Sequence, residues 1–96
     1  MGTRKKWSVL NQENMQKVPN VYGVYELADS KKNIICIGQG KLHERLAIHL
    51  SNFEDAKYFR LDRTGSKERA EQRERALLNE YERKHGCLPK YNKKRG

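Results

Sequence analysis

Arg45 and His49 have residue types and a spacing suited to phosphate chemistry. They stand four residues apart in a stretch where Leu42, Leu46, Ile48 and Leu50 recur at helical spacing, so both project from one face. A guanidinium donates two parallel hydrogen bonds to a phosphate and stays charged at any relevant pH. Hydrolysing a phosphodiester also requires a base to activate water and a divalent cation to neutralise developing charge. Tyr25 is a candidate base, although a phenol with a pKa of ~10 acts as one only where its surroundings lower that value. Hard cations take carboxylate oxygens, and Glu74, Glu80 and Glu82 all offer one on the last charged segment. Each residue also has an ordinary explanation. Tyr25 suits sheet packing, Arg45 and His49 suit a solvated helix face, and Glu80 suits an ion pair with Lys84 one turn on.

Other chemistries fit less well. His43, His49, His85, Cys36 and Cys87 lack the paired spacing of a structural zinc site, and only His43 and His49 come near it. Gly38-Gln39-Gly40-Lys41 is too short for a phosphate-binding loop, and no Ser or Thr follows the Lys. Cys36 and Cys87 read as free thiols.

The elements that must position these residues can be read from periodicity. Residues 11–18 suit a short helix ending before Pro19, because a residue preceding proline is pushed out of the helical region. Residues 21–27 are rich in β-branched and aromatic side chains, and residues 34–38 form a second apolar run. Asp29, Ser30 and Asn33 lie between them, so the two runs predict a β-hairpin. A helix over residues 42–50 follows. Tyr58, Arg60 and Asp62 then alternate with Phe59 and Leu61 in a third strand, ended by Thr64 and Gly65. Ser66 can cap a long helix with Glu68 in its first turn and a seam of Leu77, Leu78, Tyr81 and His85, and Gly86 stops it. The order predicts an α+β domain with a small three-stranded antiparallel sheet flanked by helices.

With 96 residues, a single domain over 1–96 is expected and a two-domain enzyme is excluded. Only 35% of the residues are hydrophobic, which predicts a thin core. No apolar run approaches the ~18 residues of a membrane span, and Arg4-Lys5-Lys6-Trp7 does not open a signal peptide; the expectation is a cytoplasmic protein with no membrane partner. The net charge is +9, from 21 Lys and Arg against 12 Asp and Glu. Most of it sits in basic ends at about residues 1–17 and 90–96, with Arg4, Lys5, Lys6 and Lys17 at one end and Lys90, Lys93, Lys94 and Arg95 at the other. Such ends suit nucleic acid, because each neutralised phosphate releases counterions, and they equally suit a solvated tail. Residues 21–85 are nearly balanced.

Several segments together resemble one known family. Gly23-Val24-Tyr25 is followed after ten residues by Cys36-Ile37-Gly38, similar to the two halves of the GIY-YIG nuclease signature. Val18-Pro19-Asn20-Val21-Tyr22-Gly23-Val24-Tyr25 resembles the lead-in of the excision-repair nucleases in that superfamily. Gly40-Lys41-Leu42-His43-Glu44-Arg45-Leu46 resembles their post-hairpin helix. Ala76-Leu77-Leu78-Asn79-Glu80 and Leu88-Pro89-Lys90-Tyr91-Asn92 resemble the acidic helix and closing motif. The likeness spans about residues 18–92, in the family's order. There are two departures: Cys36 stands where the family has a tyrosine, and Arg83 and Lys84 stand where related helices carry an apolar pair.

The resemblance implies an endonuclease that hydrolyses DNA phosphodiester bonds with one divalent ion, Mg²⁺ or Mn²⁺. Glu80 would ligate the metal, Tyr25 would be the general base, Arg45 would hold the scissile phosphate with His49 assisting, and Asn92 would position Tyr25 or the substrate. Lys41, Arg45, Lys90, Lys93 and Lys94 would bind nucleic acid, DNA ahead of RNA. Cys36 supports the alternative of a weakened or inactive domain that binds DNA or RNA through its basic face, because a thiol lacks a phenol's reach. So small a chain has little surface for reading sequence. It would recognise backbone or DNA shape, form a homodimer, or take specificity from a protein partner. A basic protein-interaction module without nucleic acid accounts for neither the ordered motifs nor the charge.

Overall fold

The computed structural model describes residues 6–92. Arg4, Lys5, Lys93, Lys94 and Arg95 of the basic ends lie outside the described residues. The chain runs through β1 (Ser8–Val9), α1 (Gln12–Met15), β2 (Tyr22–Ala28), β3 (Ile34–Lys41), α2 (Leu42–Asn52), β4 (Tyr58–Arg63) and α3 (Lys67–His85). All strands join one antiparallel sheet in the order β1-β4-β2-β3. The α+β class is as expected, but the sheet has four strands rather than three. Ser8 and Val9 pair with Phe59 and Tyr58. Two exposed residues carry no alternation to read, and they become a strand only because β4 offers an edge to pair with.

Two bounds also differ from the sequence expectation. The first helix covers only Gln12–Met15, with the Asn11 side chain accepting from the Asn14 amide at 2.8 Å. The second strand of the hairpin continues past Gly38 to Lys41, with Gly40 at a φ of 137° that L side chains rarely adopt.

Strand β2 is central and buried from Gly23 to Ala28. Its alternation sends Tyr25 and Leu27 to one face and Val24 and Glu26 to the other. Tyr25 and Leu27 join the larger core, with Met15, Val18, Leu42, Leu46 and Phe59. The opposite core is small: Val24, Ile37 and Leu77, bordered by Ile34, Leu78 and Tyr81. A register shift after Leu27 acts as a bulge, so the consecutive residues Ile35 and Cys36 both enter the larger core.

The ends of α3 match the sequence expectation. Ser66 Oγ accepts from the Arg69 amide at 3.2 Å, and Gly86, at a φ of 79°, donates its N–H to the Glu82 carbonyl. Beneath α3, the buried Glu26 carboxylate accepts from Arg60 Nε at 2.5 Å, and Arg73 pairs with Asp62 at 3.6 Å. Among the described residues, no helix is long and apolar enough to cross a membrane.

Candidate functional site

Two glycines of edge strand β3 make room for the predicted base and phosphate ligand. A Cβ on Gly38 would stand 2.2 Å from the Tyr25 hydroxyl oxygen, so the phenol lies directly over that glycine. A Cβ on Gly40 would come within 3.0 Å of Arg45 Cγ, so the arginine stem crosses this second bare position. The residues alternate along β3, and both absent side chains open the same face. Their use is steric as well as conformational.

Arg45 and His49 leave α2 on the face that meets Tyr25. The Tyr25 hydroxyl lies 2.7 Å from His49 Nε2, and the Arg45 guanidinium favours the ionised form of the same phenol. Tyr25 donates to His49 Nε2 in the tautomer that carries the imidazole proton on Nδ1. That atom is buried with no partner among the described residues. Burial, then the field of Cys36, pushes Tyr25 up to about 12, against the opposing effect of Arg45. Burial, then the charge of Arg45, lowers His49 to about 4. The resting site thus holds a neutral phenol and a neutral imidazole beside one permanent cation.

An aromatic series continues outward. The His49 ring stacks on Phe53 at 4.6 Å, and Phe53 stacks on Tyr91 at 4.1 Å. Tyr91 donates to Asp55 at 2.5 Å, and Lys90 pairs with the same carboxylate at 2.7 Å. The charge of Lys90 is therefore already engaged. Lys41 lies over the Tyr22 ring at 5.3 Å. Asn92, expected to position Tyr25 or the substrate, is buried against β3. Its amide donates to the Ile37 carbonyl at 2.8 Å and accepts from the Ile37 amide at 2.9 Å. It closes the outer edge of β3 like one more strand residue through these two hydrogen bonds.

The carboxylate near this group is Glu74. Its charge acts on Tyr25, whereas the charge of Glu80 acts on Glu26 under the other side of α3. At about 100° per residue the six-residue step turns Glu80 about 120° away from Glu74. Glu71, Glu74, Arg75 and Leu78 border an open cleft of ≈300 Å³ with Gln39 of β3. Leu77 and Leu78 follow Glu74 at three and four residues, whereas Arg83 and Lys84 follow Glu80 at the same steps. Cys36 is buried in the larger core on the Tyr25 face.

No group of three or more His, Cys, Asp or Glu poised for a metal occurs among the described residues. The Gln39–Glu74 cleft offers carboxylate and amide oxygens beside the Arg75 guanidinium, and hard cations such as Mg²⁺ take oxygen ligands of that type.

A family model described as Domain of unknown function (DUF7508) matches residues 1–84, and the chain belongs to that family. No curated protein and no solved structure matches the chain.

Proposed function

We propose that this member of the DUF7508 family hydrolyses phosphodiester bonds of DNA as an endonuclease requiring one divalent cation, Mg²⁺ or Mn²⁺. The observation that carries this reading is the convergence of Arg45, Tyr25 and His49 over the bare positions Gly38 and Gly40. Arg45, its stem laid across Gly40, donates to the scissile phosphate. The base is the Tyr25–His49 pair: the proton leaving the attacking water passes to the phenol oxygen as the phenol proton passes to His49 Nε2. A phosphate beside Arg45 offsets the guanidinium charge that holds His49 down, and so favours the imidazolium that this transfer forms. Glu74 takes the metal-ligand role assigned from sequence to Glu80, assisted by Glu71 and Gln39. When bound there, the divalent ion supplies electrostatic stabilisation of the phosphorane charge. Asn92 holds β3 in register beneath the site.

Nicking of supercoiled plasmid with Mg²⁺, Mn²⁺ or EDTA tests this. Wild-type protein should nick only with metal, Arg45→Ala and Glu74→Gln should abolish nicking, and Glu80→Gln should retain most of it. Loss with Glu80→Gln and retention with Glu74→Gln would return the ligand role to Glu80. No metal-dependent nicking under any condition would overturn the reading.

A second reading, a weakened domain that binds DNA or RNA, is favoured by one observation. Tyr25 is 1% exposed and raised to about 12, with a thiol at Cys36 in place of a second phenol. Under this reading Cys36→Tyr gains nicking activity over the natural chain.

A further inference from the structure

On the same face of the sheet, beside the site, lies a second cleft of ≈250 Å³. Its walls include Val18, Pro19, Phe59 and Leu61, and Lys6 and Lys17 stand at it. Leu61 pairs directly with Tyr25, so the cleft and the Tyr25 site share a sheet face and are one strand apart. The Val18–Asn20 segment is tied to α2: His43 Nδ1 bonds the Val18 carbonyl at 3.2 Å, and Asn20 bonds Glu44 at 2.8 Å.

The charge of this cleft has one sign. No acidic residue lines it among the described residues, and neither Lys6 nor Lys17 has an ion-pair partner there. Arg60, also at the cleft, is engaged by Glu26 and lies 4.1 Å from the Trp7 ring, so the charge available to a ligand comes from the lysines. The volume is below the ~300 Å³ at which drug-sized pockets begin, so it suits one ring system rather than a whole cofactor. Asn14 spends its amide nitrogen on the Val9 carbonyl at 2.8 Å, leaving its side-chain oxygen as an acceptor at the wall. A partly apolar cleft of this volume, beside two lysines without an ion-pair partner among the described residues, matches a nucleobase whose adjacent phosphates lie outside.

We infer that this cleft binds a single unpaired nucleotide of a nucleic-acid strand, its base against Val18, Pro19 and Leu61 and its flanking phosphates on Lys6 and Lys17. The inference rests on the nucleic-acid partner of the proposed function, though not on cleavage. A paired base cannot enter, so the protein prefers single-stranded or frayed ends to intact duplex.

Fluorescence anisotropy with a labelled oligodeoxythymidylate, its duplex and an abasic strand of equal length reads this out across a salt series. Wild-type protein should bind the thymidylate several-fold tighter than either competitor. The Lys6→Gln/Lys17→Gln variant should keep the wild-type melting temperature and lose about 1.4 from the slope of log affinity against log salt, two contacts at ~0.7 each. Equal binding of the abasic strand, or an unchanged slope, would overturn the inference. Binding that depends on Lys6 and Lys17 in a protein that never nicks plasmid retires the nuclease reading and upholds the cleft. Metal-dependent nicking with an unchanged slope does the reverse.

Discussion

Adjacent residues of one strand solve the same problem in opposite ways on the two faces of the sheet. Tyr25 and Glu26 are both buried polar side chains of β2. On the α2 face, Tyr25 belongs to a neutral hydrogen-bonded pair with His49, capped by the exposed end of a cation, and surrounded by the larger core. On the α3 face, Glu26 meets Arg60 as an ion pair in a core of three residues. Burial raises Glu26 although Arg60 opposes it, so the pair only partly compensates for lost solvation. A neutral pair needs little compensation, and its cost is confined to one unpartnered nitrogen on His49. A neutral, polarisable pair beside a fixed positive charge can exchange protons, whereas a closed ion pair is occupied. The neutral pair lies on the α2 face and the closed ion pair on the α3 face.

The most damaging way to test this is to break the ion pair. Arg60→Ala leaves a buried carboxylate uncompensated and should lower the unfolding free energy by about 3 kcal/mol in urea titration. Because Glu26 is already raised when folded, its ionisation opposes folding above its folded pKa. The deficit of the variant should therefore shrink as pH falls through the carboxylate range. Replacing both partners with leucine should cost far less than the single change.

A smaller effect is expected on the neutral side from Gly38→Ala, whose new methyl meets the phenol: about 1–3 kcal/mol of overpacking, by the same titration. Displacing Tyr25 should also bring its ultraviolet ionisation step down from about 12 toward ~10. If the variant keeps both stability and titration, the phenol is not held over Gly38.

A third effect is invisible at neutral pH. His49 has a folded pKa lowered from 6.5 to about 4, so the native state binds fewer protons and stability declines as pH falls through that window. His49→Gln keeps an acceptor for Tyr25 without titrating, and its stability profile should be flatter between those values. An unchanged profile would place the pH dependence elsewhere.

Much of the fold was legible because its signals are local. The strand alternation of Tyr58 to Arg63 put Phe59 and Leu61 in the core and Arg60 and Asp62 opposite, and Ser66 and Gly86 marked both ends of α3. Strand β1 was not legible, because a two-residue strand is defined by its partner. Nor was the bulge that turns both Ile35 and Cys36 into one core, since the alternation of an isolated strand allows only one of them. Within the candidate site, the shared helix face of Arg45 and His49 was legible from spacing and Tyr25 was singled out by the family resemblance, while the surroundings of each glutamate of α3 depend on how that helix is rotated over the sheet.

Composition and periodicity alone determined a small basic α+β chain, its hairpin and long capped helix, and the residues with the chemical capacity to hold phosphate. Backbone preference and amphipathic spacing act over a few residues and survive in the linear order. Tertiary structure decided that Gly38 and Gly40 open one face for Tyr25 and Arg45, that Asn92 seals β3 at Ile37, and that Glu74 lines a cleft with Gln39 of β3. Those outcomes depend on distances between segments far apart in the chain, and on the desolvation that follows when they close on one another.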